Sequence, residues 1–488
     1  MSRKRFGPSW EKVGKPVRLK SDLPAALKYQ ALVIESAARD AGLDFFEVVF
    51  ELLDAKDVNG VASYGGFPVR YPSWRFGMEF ERLEKGRFWG LSKIYELVIN
   101  NDPTYAYLVR SNSLLEQKLV MAHVYGHGDF FKNNLWFAPT DRKMLDSMGN
   151  HSTRIRRYID AIGLEAVEKF LDKALSVDTL VDPYLPLREH ASPPESRSVH
   201  TPASERALRL LESLSTTALK PEPAQDIDLR PKASRLPTYD ILGFLEENAP
   251  LEAWQRDILH IVRAEAYYFS PQRMTKIMNE GWASFWHSRL LTGGLLEPSE
   301  ILDFADCHSS ATMTAQGNLN PYKLGIELYR HAEARGEDIF QLRRVHNDVS
   351  LIHKLVDEEF TVRHIRPILP QQPGEALGDF DWRAAKSWLL HQLAWGGLPQ
   401  IQLVGVDTEG EGELLLVHHH DGRDLQMGRA QETLRNLAAF WQRPVHLFTI
   451  MEKQGKKLVV SGDEEMTVVD TAEAEKHDED QAAQAESA

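Results

Sequence analysis

Two histidines four residues apart, His123 and His127, lie in the run from Glu116 to Asn134, whose apolar residues suit a buried helix. Side chains at i and i+4 share a helix face, so both imidazoles can address one atom. That is how a helix delivers two nitrogens to a metal ion. In the usual metalloprotease pattern a Glu follows the first His and serves as general base, but Val124 stands there in this chain. Glu116 precedes His123 by seven residues, on roughly the same face and about 10 Å away. It suits an outer contact to a ligand ring better than a bond to the same ion. Without the usual Glu, the pair is equally consistent with a core helix whose imidazoles are satisfied internally.

A second segment runs Met278-Asn-Glu-Gly-Trp-Ala-Ser-Phe-Trp-His287. Its Asn-Glu-Gly-aromatic-Ala-Ser core resembles the helix that supplies the third zinc ligand in gluzincin aminopeptidases. The resemblance implies Glu280 as that ligand, completing a site of two His and one Glu with a fourth position for water. The usual spacing is short, whereas Glu280 lies far along the chain from His127. His287 stands two turns beyond Glu280, about 10 Å from it, so it is a proton donor, a ligand to a second ion or a core residue. His308, in Asp306-Cys-His-Ser-Ser310, is a further candidate fourth ligand or acid–base group. Tyr267, Tyr268 and Tyr322 are candidates for stabilising an oxyanion. The general base is open among Glu79, Glu116, Glu265 and His287. Cys307 reads as a buried apolar residue rather than a nucleophile. The expected cofactor is a divalent metal, zinc first, although His and Glu also suit iron and manganese.

These groups need a scaffold, and the chain is long enough for one. Its 488 residues allow two or three domains with substantial cores. Apolar content of 43% and charged content of 26% are those of a globular protein. A formal net charge of −14 argues against broad binding to nucleic acid or anionic membrane, both of which need a positive surface. The single cysteine excludes disulfides and multi-cysteine zinc sites within the chain, and fits a reducing cytosol. No run of about 18 apolar residues suggests a transmembrane helix, and no apolar segment follows the basic N-terminus as in a secretory signal.

Taken in order, residues 1–22 read as a basic flexible arm. Residues 23–190 read as the first half of a helical domain, with one or two helices over 24–55 and one or two over 89–135 that end at Asn133 and Asn134. Between them, residues 62–82 hold Gly65, Gly66, Pro68 and Pro72, which forbid a regular helix. This loop can line a pocket through Tyr64, Arg70, Trp74 and Arg75, with Asn320 from a later segment, or it can pack on the core with its arginines in ion pairs. Residues 191–237 are a Pro/Ser-rich linker, with a short helix expected at 204–214. Residues 238–362 form the second helical half and 363–380 another linker. Residues 381–470 alternate as a small α+β unit: helix 381–396, strands 398–406 and 413–420 as an antiparallel pair, helix 428–441 and strand 444–451. The His418-His419-His420-Asp421-Gly422 run reads as a turn with exposed imidazoles. Residues 471–488 form an acidic tail of disordered character.

Four motifs carry a wider resemblance. They are Tyr64-Gly-Gly-Phe-Pro-x-Arg-Tyr-Pro-x-Trp-Arg75; Gln117-Lys-Leu-Val-Met-Ala-His-Val-Tyr-Gly-His127 with Asp129-Phe-Phe-Lys-Asn-Asn134; Glu265-Ala-Tyr-Tyr-Phe269 with the Met278–His287 segment; and His419-His-Asp-Gly-Arg423. By these the chain resembles the stage V sporulation protein R (SpoVR) family over about residues 25–450. Ser73 stands where relatives are expected to carry a His, which weakens any case for a ligand there. The resemblance implies a cytoplasmic protein tied to spore-cortex formation or stationary-phase and stress physiology. It also implies neighbours, a serine protein kinase of the PrkA type and a von Willebrand A-like protein. It supplies a setting rather than a reaction. The reading is therefore a mainly α protein: a large helical N-terminal domain with a zincin-like helix pair, and a small α+β C-terminal domain. Its function is either metal-dependent hydrolysis of an amide bond or a non-catalytic role in the kinase pathway.

Overall fold

The computed structural model describes residues 23–88, 96–191, 236–313, 319–369, 380–406, 412–462 and 465–470. The basic arm, most of the Pro/Ser-rich linker with its expected helix at 204–214, and the acidic tail lie outside them. The chain folds as two compact units, Met1–Thr179 with Glu252–Pro399, and Leu180–Leu251 with Gln400–Ala488.

The first unit is mainly helical. Its described helices are α1 (Ala25–Asp40), α2 (Ala55–Ser63), α3 (Trp74–Phe88), α4 (Leu114–Asn133), α5 (Met144–Ile162) and α6 (Leu164–Ser176) in the first stretch. In the second unit's first stretch come α7 (Leu185–Ala191) and α8 (Ile241–Asn248). The first unit resumes with α9 (Ala253–Met274), α10 (Lys276–Leu290), α11 (Ile301–Thr312), α12 (Pro321–Ala334), α13 (Ile339–Val345), α14 (Asp348–Leu355) and α15 (Trp382–Leu393). Helix α4 starts on a capping box in which Ser113 Oγ accepts from the Glu116 amide and the Glu116 carboxylate accepts from the Ser113 amide. From Val120 to Phe131 every residue of α4 is buried, so this helix is a core element. Helix α10 lies between α4 and α12. Two places of close approach explain the small residues there: a Cβ on Gly281 would stand 2.4 Å from the Gly325 backbone, and one on Gly126 would stand 2.7 Å from Ala283 Cα. Asp129 of α4 locks the same packing. It accepts from Trp282 Nε1 at 2.7 Å and from the Asp44 amide at 2.8 Å, and it pairs with Arg343 at 3.1 Å.

A three-stranded sheet, β1 (Val48–Leu53), β3 (Thr104–Val109) and β2 (Glu96–Ile99) in that order, flanks these helices. The pair β1/β3 is parallel, with Phe50 opposite Ala106, and β2 runs antiparallel to β3. This corrects the expectation of helices at residues 48–53, 96–99 and 104–109, while residues 89–95 of that expectation lie outside the described residues. Val48, Val49 and Phe50 are all buried, so both faces of β1 are covered and no alternation marks it as a strand. Residues 361–368, read in part as the start of a linker, continue in helical turns.

The second unit holds a five-stranded sheet in the order β4 (Ile401–Val406), β5 (Leu414–His418), β6 (Val445–Met451), β7 (Gln454–Val460), β8 (Thr467–Asp470). The pair β4/β5 is antiparallel as expected. The pair β5/β6 is parallel, joined by helix α16 (Met427–Trp441). Strands β7 and β8 extend the sheet beyond the elements read from the sequence. Thr238 pairs with Leu403 on the outer side of β4, and Phe244 of α8 packs its ring 5.7 Å from that of Trp441. Residues 236–251 belong with the sheet, and α15 belongs with the first unit. His418 is buried and bonded to Thr449 Oγ1 at 2.9 Å rather than exposed in a turn.

Candidate metal centre

His123 and His127 project from one face of α4, and α10 brings Glu280 opposite them. Nε2 of each imidazole lies 3.5 Å from Glu280 Oε2. The three donor atoms lie within 4.8 Å of one another. His127 Nδ1 is 2.9 Å from Asn279 Oδ1. A carbonyl oxygen only accepts, so Nδ1 carries the proton and Nε2 is the lone-pair nitrogen of the neutral ring. His123 Nδ1 stands 2.9 Å from His287 Nδ1, and His287 Nε2 stands 3.0 Å from His308 Nδ1. Three imidazoles therefore run in a string from His123 to α11, where His308 is partly exposed.

His123 Nε2 and Glu280 Oε2 are both buried, and neither has a hydrogen bond among the described residues. Leaving buried polar atoms unpaired costs about 1–3 kcal/mol each. A cation shared by the three donors removes that cost. Two ligands each about 2.1 Å from one ion at a tetrahedral angle stand about 3.4 Å apart, close to the observed 3.5 Å. Two imidazole nitrogens and a carboxylate oxygen are also a donor set suited to zinc, iron or manganese. The residues fit a metal.

The electrostatics agree. Burial alone would raise the Glu280 carboxyl, but the two imidazoles, when protonated, outweigh it and hold the group well below the usual carboxylate range, and a cation held between neutral rings would act in the same direction. His287 is pushed well below the ordinary imidazole value, first by burial and then by the neighbouring histidines. His308 is also lowered, by burial and then by Arg330 and Lys323. Outer contacts through Asn279 and His287 orient both candidate ligands, as partners of metal-bound histidines commonly do.

The other sequence candidates divide sharply. Tyr322, near the start of α12, lays its ring 6.2 Å from that of His123 and nearly parallel to it. Asn320 caps α12 through the Lys323 amide and donates to the Ala311 and Met313 carbonyls. Glu116 serves in the capping box, and Glu79 pairs with Arg82 on α3. Glu265 is bound by Arg70, by the Tyr71 hydroxyl at 2.9 Å and by His151 Nδ1 at 3.0 Å. Tyr267 lies under the Arg263 guanidinium, and Tyr268 donates to the Asn100 carbonyl at 3.0 Å. Neither these three carboxylates nor these two tyrosines belong to the donor cluster. Tyr64 offers its carbonyl to Arg70, while Trp74 and Arg75 both bond Asp172. Sequence reasoning missed Asn279 and His151. Asn279 adjoins Glu280 in its motif and so carried a signal; nothing local marks His151.

Comparison with known proteins agrees with the motifs. Residues 23–366 match the family described as SpoVR like protein, and residues 399–452 match the SpoVR-like C-terminal domain. The chain belongs to the SpoVR family. It is 34% identical over 323 residues to the "Uncharacterized protein YcgB" of Escherichia coli (strain K12), an alignment covering 61% of this chain and 61% of that protein. No solved structure matches. Among the described residues, no helix is long and apolar enough to cross a membrane.

Proposed function

We propose that the first unit holds one divalent metal ion, which we assign as zinc, and hydrolyses an amide bond. One observation carries the reading: three donor atoms from two helices meet, and two of them are buried without hydrogen bonds. His123, His127 and Glu280 hold the ion. A bound zinc ion polarises a carbonyl and lowers the pKa of its water. Asn279 and His287 act as positioning residues that fix the two rings. Of the three candidate tyrosines only Tyr322 adjoins the ligand set, so we assign it the oxyanion. The general base is not Glu79, Glu116 or Glu265, since each is engaged elsewhere. Both nitrogens of His287 are within hydrogen-bonding distance of other imidazoles. We therefore assign proton exchange to His308, the partly exposed end of the string.

The setting is part of the proposal. It is a cytoplasmic protein of sporulation or stationary-phase physiology, working beside a PrkA-type serine kinase and a von Willebrand A-like protein. Co-purification of the kinase with the chain at native expression level tests the partnership.

Metal analysis of protein purified without a histidine tag should find about one equivalent per chain. His123→Ala and Glu280→Ala should each abolish it while the helical circular dichroism persists. A wild-type protein that neither retains metal nor takes it up from a zinc, iron or manganese titration would overturn the reading.

A further inference from the structure

A second site lies in the first unit, built by the Tyr64–Arg75 motif against α6 and α9. A cavity of about 330 Å³ opens there, with Arg70, Phe76, Asp178, Glu265 and Phe269 among its walls. None of its lining residues belongs to the His123–His127–Glu280 cluster. Its volume is in the range of small-molecule sites.

The wall groups differ in how far they are already committed. Glu265 is saturated by Arg70, Tyr71 and His151. Arg75 is held by Asp172. Arg70 gives Nη1 to the Tyr64 carbonyl and Nη2 to Glu265, but its buried Nε has no hydrogen-bond partner. Asp178 has no hydrogen bond or ion pair among the described residues. Burial raises its carboxyl, and Arg273, Arg75 and Arg70 pull it back only at longer range. The cavity thus presents one uncommitted anion and one uncommitted donor on a guanidinium. The rings of Phe76 and Phe269 stand 4.8 Å and 5.9 Å from the Arg70 guanidinium carbon.

We propose that this cavity binds an apolar α-amino acid or the free amino-terminal residue of a peptide. The ammonium pairs with Asp178, the carboxylate or carbonyl oxygen accepts from Arg70, and the side chain lies against Phe76 and Phe269. An ammonium satisfies the lone carboxylate, and an oxygen a few bonds farther along satisfies the orphaned nitrogen. A purely anionic ligand would leave Asp178 repelled, and a simple amine would leave Arg70 unpaired. The site stands whether or not the metal reading does.

Isothermal titration of the full chain with leucine, leucine amide, leucyl-leucine and N-acetyl-leucine tests this. Binding of leucine, with at least tenfold weaker binding of N-acetyl-leucine, is expected. Leucine amide and leucyl-leucine binding as well as leucine assigns the site to peptide amino termini; leucine alone assigns it to the free amino acid. Asp178→Asn should cost at least tenfold in affinity without changing the melting temperature or metal content. Arg70 is held in a buried ion pair, so its replacement would disturb folding as well as binding. Phe76→Ala supplies the second test instead and should weaken leucine binding more than glycine binding. Failure of all four probes to bind wild type overturns the proposal, as does N-acetyl-leucine binding equal to leucine or an Asp178→Asn protein that binds unchanged. Loss of metal through His123→Ala should leave leucine binding intact, which separates this site's failure from that of the metal centre.

Discussion

Asn279 shows how much of the proposed metal centre would rest on one neutral side chain. Its Oδ1 accepts the His127 proton and so selects which nitrogen faces Glu280. Asn279→Ala removes that selection while leaving all three donors in place. Loss of such an outer partner costs about 10–100-fold in metal affinity, so competition titration against a chelator of known affinity should find a drop of that size. Metal uptake should also release protons and weaken in acid, because the imidazoles must be neutral to bind. The pairing of His123 with His127 was legible because helical spacing alone dictates it. Glu280 was legible only through its motif, since no local pattern spans the distance to α4. The roles of Glu265 and Glu116 were not legible: a carboxylate in a motif looks the same whether it faces a metal, an arginine or its own helix terminus.

Helix α10 owes its place to contacts at its start and along its side. Asp348 accepts from the Ile277 and Met278 amides at 2.9 Å and 2.8 Å, satisfying two of the orphan donors of the helix. Complete burial pushes the Asp348 carboxyl up to about 7. A raised carboxyl pKa means the folded state holds the proton more tightly than the unfolded one. This contribution is fully present below about pH 4 and is lost as the pH rises toward about 7. Urea midpoints measured from pH 4 to 7 should therefore fall less steeply with pH in Asp348→Asn than in wild type. Along its side, α10 meets Gly325 with Gly281, and Gly281→Ala should cost about 1–3 kcal/mol in denaturant unfolding through overpacking. Strand legibility followed turn signals. In β5 the buried residues alternate with half-buried ones, but the run Leu414-Leu415-Leu416-Val417 is apolar throughout, and the Asp421-Gly422 turn signal beyond it marked the strand. In β1 and β3 both faces are largely covered and no Asp-Gly turn follows, so the apolar runs passed for helix.

The chain as a whole is interleaved: each unit is built from two separated stretches. Apolar periodicity pointed to a large helical part and a small mixed one. It could not reveal that residues 236–251 cross to the sheet, because an apolar helix such as α8 carries no mark of which core it joins. Truncation after Pro399 removes all five strands of the small sheet and leaves Phe244 without Trp441. The truncated chain should keep its metal equivalent, since His123, His127 and Glu280 all lie in the other unit. It should also bind a hydrophobic dye strongly and aggregate sooner on heating, because the apolar face of α8 is uncovered.

The string His123–His287–His308 has one proton per link and therefore two possible orderings. Were a cation held at Nε2 of His123, its remaining proton would sit on Nδ1, so His287 would accept there and donate from Nε2, and His308 would accept in turn. Stripping the cation permits every link to reverse. Nitrogen NMR of His308 would then read the occupancy of the buried centre from the protein surface, as a switch of which ring nitrogen bears hydrogen.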